Sequence, residues 1–181
     1  MKHLNQKWVT TWTAAYPLGP DEVHLLNVVG PSAKKRGHFT VDELVKVAKW
    51  KSARAAGRVG SNSQRDVMVL TSAALSAPAG YQHLILTLLK GVQVRMASAI
   101  LTVVSPRRDT VMDVRSLGAI ARLTQRGEIT QPLSAYGQPH LPPYMEYRDI
   151  CTATAKAVGC PLRDLDRALW AWHAAGMPPP P

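Results

Sequence analysis

A very short turn between two apolar helical segments constrains the fold of this chain more than any other feature. The spacing of apolar residues predicts helices over Tyr81–Leu89 and Val94–Val104. Only the four residues 90–93, Lys-Gly-Val-Gln, remain to connect them. Gly91 can adopt a positive φ at little cost, which suits so tight a turn. Val92 supplies an apolar side chain, which we expect to anchor the turn in the core.

The second helix of this hairpin has a small-residue face and an N-terminus suited to an anion. Ala97, Ser98 and Ala99 allow the two helices to approach closely. The backbone N–H groups of Gln93 and Val94 open the helix, where the positive end of its dipole favours a phosphate. A plain helical hairpin in a bundle would show the same periodicity, so the pattern alone leaves both interpretations open.

Helix-start signals recur along the chain, whereas strand signals are sparse. Thr40 and Glu43 form a capping-box pattern, which predicts a helix that ends near Gly57. Ser63 and Asp66 open another in the same way. Further helices are predicted over Lys7–Ala15, Val114–Leu123, Tyr144–Val158 and Leu162–Ala175, and Lys34–Arg36 is interpreted as a basic turn. We therefore predict an all-α protein.

The charge balance favours a polyanionic partner. Lys and Arg number 22 against 12 Asp and Glu, which gives a formal net charge of +10 on 181 residues. Each phosphate that a cation neutralises releases condensed counterions, so such an excess favours nucleic acid. Charge alone does not separate DNA from RNA, or either from an acidic membrane surface. The length suits one compact domain, or two small helical lobes that share a groove.

Cysteine usage and hydropathy argue against a metal cluster and a membrane span. Cys151 and Cys160 lie too far apart for a zinc pair, and an iron–sulfur cluster needs four thiolates. We expect both to be buried and reduced, with no metal or cofactor. The most apolar stretch, Leu84–Val104, is interrupted by polar residues, and the first residues carry no apolar signal-peptide run. These features predict a cytoplasmic protein, associated with the nucleoid if bacterial, and a monomer.

Segment 86–117 carries a family resemblance. It reads LTLLKGVQVRMASAILTVVSPRRDTVMDVRSL, which contains Leu-x-Gly-Val-x-x-Arg-x-Ala, a proline after the second helix, and an apolar pair before Asp-Val-Arg. This order resembles the helix–hairpin–helix and Gly/Pro-Asp element of the DNA base-excision glycosylases, the superfamily of endonuclease III and the 8-oxoguanine glycosylases. The element would span residues 81–123 of a single helical domain, with two small lobes flanking a groove for the DNA and its flipped base.

The resemblance implies roles for particular residues. In that superfamily the hairpin grips the DNA backbone, a role that here falls on Lys90, Gly91, Val92, Gln93 and Val94. The aspartate at the start of the next helix is catalytic, and that position is Asp113. A carboxylate suits the reaction because breaking an N-glycosidic bond builds positive charge on the sugar. Asp113 is equally placed to cap the helix. Asp109 is interpreted as a solvent-exposed loop acid.

Three departures from the family pattern bear on activity. Gln93 stands where the hairpin usually has a second glycine, so a β-carbon must be accommodated there. Arg95 stands where bifunctional members place a lysine, and a guanidinium forms no Schiff base. The cysteines that hold the cluster of endonuclease III are absent. We therefore expect base excision without strand cleavage.

Aromatic and charged residues elsewhere give further candidates. Trp50 lies among the cations Lys51 and Arg54, a pattern that fits a DNA-facing helix as well as a buried tryptophan under solvated lysines. Tyr136 lies in a Gly/Pro-rich segment and Tyr144 follows it, and these two tyrosines together with Trp50 are candidates for the base pocket. The charges over 163–167 are interpreted as a surface ion-pair set worth little individually, and one of Trp170 and Trp172 as core.

Three functions are compatible with these patterns. The first is a DNA glycosylase that hydrolyses the bond to a damaged or modified base of duplex DNA, with Asp113 catalytic. The second is a DNA-binding protein that keeps the hairpin without the chemistry, which Gln93 and Arg95 both favour. The third is a helical protein-interaction adaptor whose basic charge is incidental.

Overall fold

Helices make up the regular structure of this protein wherever it is described. The computed structural model describes residues 4–124 and 144–179, and every regular element within those ranges is helical. The predicted all-α class is confirmed. The chain divides into a central unit, Leu18–Pro106, and a terminal unit, Met1–Pro17 with Arg107–Pro181, both named for their position in the sequence. The prediction of lobes around a shared groove stays a prediction.

The described elements follow the predicted helices closely over most of the chain. In chain order they are α1 (Gln6–Ala14), α2 (Pro20–His24), a π-helical turn (Leu25–Val29), α3 (Gly30–Arg36), α4 (Val41–Ser52), a 3₁₀ turn (Ala53–Ala55), α5 (Ala56–Gly60), α6 (Gln64–Ser76), α7 (Gln82–Leu86), α8 (Val94–Val104), α9 (Val114–Thr124), α10 (Tyr144–Val158) and α11 (Leu162–Ala174). The helix expected over Tyr81–Leu89 is shorter, because residues 87–90 already belong to the hairpin turns.

The predicted helix starts are confirmed in the central unit. The Thr40 hydroxyl accepts from the Glu43 amide while the Glu43 carboxylate accepts from the Thr40 amide, which completes the capping box of α4. Ser63 caps α6 by accepting from the Asp66 amide at 3.0 Å. The helix expected to run to Gly57 instead ends at Ser52, and a 3₁₀ turn leads into the separate helix α5.

The segment before Thr40 is more helical than the sequence patterns suggested. Residues 34–36, interpreted as a basic turn, are the last turn of α3. Gly37 ends that helix with φ of 83°, a conformation that glycine adopts readily. The three cations fit this position because the negative end of the helix dipole favours positive charge.

Helix α8 forms the centre of the central unit, since residues 96–104 are all buried. It packs against α3, α4 and α7. Its contact with α3 is made at Gly30, where a β-carbon would lie 1.9 Å from the Val103 carbonyl oxygen. Only a glycine fits at this crossing, because the backbone of α8 occupies the space of any side chain.

The terminal unit is built on α11, which packs against α1, α9 and α10. Trp8 and Trp172 meet edge to face with ring centroids 5.6 Å apart, and both are buried. Trp172 is therefore the core tryptophan of the expected pair, while Trp170 is half-buried. This packing joins the two ends of the chain in one unit and places the start of α9 beside α11.

We predict that Gly30→Ala destabilises the protein by about 3 kcal/mol or more, because the new methyl group collides with the backbone of α8. Gly57→Ala is the matched control, since nothing lies within 4 Å of a β-carbon at that helical position. That variant should gain up to about 1 kcal/mol. Urea unfolding of the two variants measures both effects, and equal stabilities would contradict this account of the crossing.

Candidate functional site

The hairpin turn has the conformation that its sequence predicts. Gly91 has φ of 77°, and Val92 is buried with its amide bonded to the Leu89 carbonyl oxygen at 3.1 Å. Gln93 is extended, with φ of −101° and ψ of 173°, and α8 begins at Val94. The exposed Gln93 side chain makes no capping bond. Its β-carbon is therefore accommodated in solvent without distortion of the turn.

The amides at the head of α8 are the free donors of the hairpin. Within the described residues, the N–H groups of Gln93 and Val94 meet no backbone or side-chain acceptor. Such orphan donors at a helix N-terminus, together with the helix dipole, suit a phosphate or carboxylate oxygen. The hairpin can therefore offer two backbone hydrogen bonds to an anion.

Asn62 docks the hairpin onto the end of α5. Its side-chain Nδ2 donates to the Lys90 carbonyl oxygen at 2.9 Å and to the Val59 carbonyl oxygen at 2.8 Å, and its Oδ1 accepts from the Lys90 amide at 2.9 Å. Gly91 packs so closely on α5 that a β-carbon there would lie 2.9 Å from Arg58 Cβ. Sequence reasoning missed Asn62, because nothing in the chain near it signals a partner at residue 90.

The other predicted DNA-binding residues of the central unit differ in their exposure to solvent. Lys90 and Arg54 are exposed, whereas Lys51, Arg95 and Trp50 are half-buried. Trp50, Lys51 and Arg95 each already interact with another group of the protein. Arg95 is the second residue of α8 and so follows directly on the unbonded amides. Lys90 in the hairpin turn and Arg54 in the 3₁₀ turn therefore present exposed positive charge.

In the terminal unit, Asp113 caps the helix that follows it. Its Oδ1 accepts from the amides of Arg115 and Ser116, each at 2.9 Å. The prediction that Asp113 starts α9 and caps it is confirmed. The side chain is half-buried, and Arg115 lies over the Trp170 ring at 4.3 Å. A carboxylate is thus held at the head of α9 by two backbone hydrogen bonds.

The extended segment that leads to Asp113 is held by two buried tyrosines of α10. Tyr144 accepts from the Thr110 amide at 3.2 Å and donates to Asp109 at 3.3 Å. Tyr147 donates to the Val111 carbonyl oxygen at 3.1 Å. Burial raises the pKa of both hydroxyls well above the usual range, and the charge of Asp109 adds to the shift at Tyr144. Both phenols therefore remain protonated donors at physiological pH.

These contacts correct two expectations. Asp109, interpreted as an exposed loop acid, is 1% exposed and is bonded to Tyr144 and to Arg108 Nε, the latter at 2.9 Å. Tyr144, a candidate for the base pocket, is also 1% exposed, so its ring is core and offers no face for a stacked base. Of the other two pocket candidates, Tyr136 lies outside the described residues and Trp50 is half-buried.

Asp166 of α11 fixes the chain on both sides of Asp113. Its Oδ2 accepts from the Val111 amide at 3.3 Å, and its Oδ1 accepts from the Ser116 hydroxyl at 3.2 Å. Arg163 pairs with the same carboxylate. The interpretation of residues 163–167 as a surface set is wrong for Arg163 and Asp166, which are both buried. A buried carboxylate requires such partners, because an unpaired charge in the interior is costly.

The described residues contain no disulfide and no cluster of metal ligands. Cys151 is buried and Cys160 half-buried, both are free thiols, and burial raises the pKa of each. Among the described residues, no group of three or more His, Cys, Asp or Glu side chains could hold a metal ion. In the same part of the chain, every helix is too short or too polar to cross a bilayer.

Comparison with known protein families, with curated proteins and with solved structures finds no match for this chain. The resemblance to base-excision glycosylases therefore depends on the residues of segment 86–117 alone.

We predict that Asn62→Ala destabilises the protein by about 1–3 kcal/mol, because the amide and the carbonyl of Lys90 lose their part-buried hydrogen bonds. Ser61→Ala is the matched control, since that exposed hydroxyl bonds only to the Arg58 carbonyl oxygen. It should change stability by less than about 0.5 kcal/mol. Chemical denaturation measures both, and a neutral Asn62→Ala would show that the hairpin docks by apolar packing instead.

Proposed function

We propose that this protein binds duplex DNA through its hairpin and hydrolyses the N-glycosidic bond of a damaged or modified base. One observation carries the proposal more than any other. A turn with glycine at positive φ delivers two unbonded amides to the head of α8, and eighteen positions after Arg95 a capping aspartate heads the helix that follows. The same order of elements defines the family that segment 86–117 resembles.

The hairpin would bind a backbone phosphate without reading the base sequence. The amides of Gln93 and Val94 donate to phosphate oxygens, and the dipole of α8 adds a favourable field. The exposed ammonium of Lys90 adds a counter-charge beside them. Because Asn62 and Gly91 fix the turn on α5, the donors are ordered before DNA arrives, which lowers the entropic cost of binding.

Asp113 would supply the chemistry. As the bond from C1′ of the sugar to the base nitrogen breaks, the base takes the bonding electrons and the sugar becomes an oxocarbenium-like cation. The carboxylate stabilises that cation and orients the water whose oxygen bonds to C1′. The water proton passes to the carboxylate, which then releases it to solvent, and the departing base takes up one proton from solvent, so that the net reaction adds one water across the broken bond. The product is a free base and an intact abasic strand.

Arg95 would act in binding and not in covalent catalysis. A guanidinium stays protonated and forms no Schiff base with the sugar aldehyde. Excision by this protein should therefore stop at the abasic site.

One observation favours a second function, that of a DNA-binding protein without enzymatic activity. The Oδ1 of Asp113 already accepts two amide hydrogen bonds at ideal length. A residue kept only for capping would show the same two bonds, so activity must be tested on the carboxylate itself.

We predict that Asp113→Asn folds normally and binds DNA but loses excision about 10²–10³-fold. Asparagine caps a helix nearly as well as aspartate, whereas a neutral amide cannot stabilise the developing cation. The measurement is abasic-site formation, scored as alkali-induced cleavage, on duplexes with oxidised, alkylated, deaminated and mispaired bases.

Asp149→Asn is the control for this experiment. It removes a carboxylate from exposed Asp149 of α10, which pairs with Arg148 at 2.9 Å. It should excise at the wild-type rate. Normal excision by Asp113→Asn would limit Asp113 to capping, and duplex binding without excision of any base by the wild type would favour the second function.

A further inference from the structure

A run of cations without an intervening acid extends from α4 through α5 to the start of α6. Between Glu43 and Asp66 the chain has six basic residues and not a single acid: Lys46, Lys49, Lys51, Arg54, Arg58 and Arg65. This stretch contains the end of α4, the 3₁₀ turn and α5. Five of the six therefore lie on α4, the 3₁₀ turn and α5, of which α4 and α5 contact the hairpin, while α3 carries a separate group of three cations, Lys34–Arg36.

Among the described residues, several of these cations form no ion pair, in contrast to four arginines of the terminal unit. In the terminal unit, Arg108, Arg148, Arg163 and Arg167 each pair with an aspartate. By contrast, the exposed side chain of Arg58 makes no ion pair, hydrogen bond or ring contact with any described residue. Its guanidinium charge is thus available to a ligand.

Arg58 stands directly beside the hairpin turn. A β-carbon on Gly91 would lie 2.9 Å from Arg58 Cβ, so the two backbones are in van der Waals contact. Asn62, four residues after Arg58, donates hydrogen bonds to the carbonyl oxygens of both Val59 and Lys90. The contact is held by buried hydrogen bonds, and the position of Arg58 relative to the turn is fixed by the fold.

We propose that Arg58 is a phosphate ligand of the hairpin, so that the surface for the DNA backbone extends from the head of α8 onto α5. This inference rests on the proposed DNA binding. A guanidinium suits the task because its planar donors can form two hydrogen bonds to one phosphate. The amides of Gln93 and Val94 and the Arg58 side chain then grip the backbone from the two sides of Gly91.

The test compares Arg58→Gln with the wild type in binding to an undamaged duplex at several salt concentrations. Each lost phosphate contact reduces the slope of log affinity against log salt by about 1. We expect Arg58→Gln to lower the slope by that amount and to weaken binding equally for duplexes of different sequence. Lys90→Gln, next to the free amides, should behave in the same way.

Lys35→Gln is the matched control, since it removes one exposed charge from α3 of the same unit. It should leave the slope unchanged. If Arg58→Gln binds like the wild type while Lys90→Gln is weaker, the hairpin binds DNA and the assignment of Arg58 is wrong. Equal losses of affinity in Arg58→Gln and Lys35→Gln would show that the effect is one of net charge, and would contradict a local contact between Arg58 and a phosphate. If the wild type does not bind duplex DNA, both the proposed function and this inference are wrong.

Discussion

The docking of Lys90 onto Asn62 is the interaction on which the candidate DNA-binding surface depends. One buried amide side chain satisfies both the amide and the carbonyl of Lys90, and it stands in for the backbone pairing that a turn of this length cannot make internally. Gly91 completes the contact, because only a residue without a β-carbon can approach α5 so closely. The unbonded amides of Gln93 and Val94 lie at the start of α8, where a helix leaves its first N–H groups without an internal acceptor. Asn62 and α5 hold the turn through Lys90 and Gly91, so the amides of Gln93 and Val94 stay available to a ligand.

In the terminal unit, a buried carboxylate and two buried tyrosines hold the segment that leads to Asp113. Backbone groups of the extended segment before Asp113 bond to Tyr144, Tyr147 and Asp166, and Asp166 also reaches the first turn of α9 through Ser116. Apolar packing could hold a loop more cheaply than a buried ion pair. Directional hydrogen bonds, however, fix where the loop ends, and therefore where the carboxylate of Asp113 lies.

The sequence predicted those features of the fold and of the candidate site that depend on residues close together in the chain. The bounds of α8, the capping box at Thr40 and the cap at Asp113 depend on residues within one helical turn, so patterns along the chain revealed them. The role of Asn62 depends on a residue 28 positions away, and the burial of Asp109 on a tyrosine 35 positions away. A charged residue in a loop or on a helix is usually exposed. Asp109 and Asp166 are exceptions, because partners from distant helices compensate their burial.

The central claim is that the hairpin amides bind the DNA backbone. Amide chemical shifts of isotope-labelled protein during titration with an undamaged duplex test it most directly. The account predicts large shifts at Gln93 and Val94 that diminish as salt is added, because a phosphate contact is weakened by competing ions. Unchanged signals at these two residues, with the duplex bound elsewhere on the protein, would contradict it.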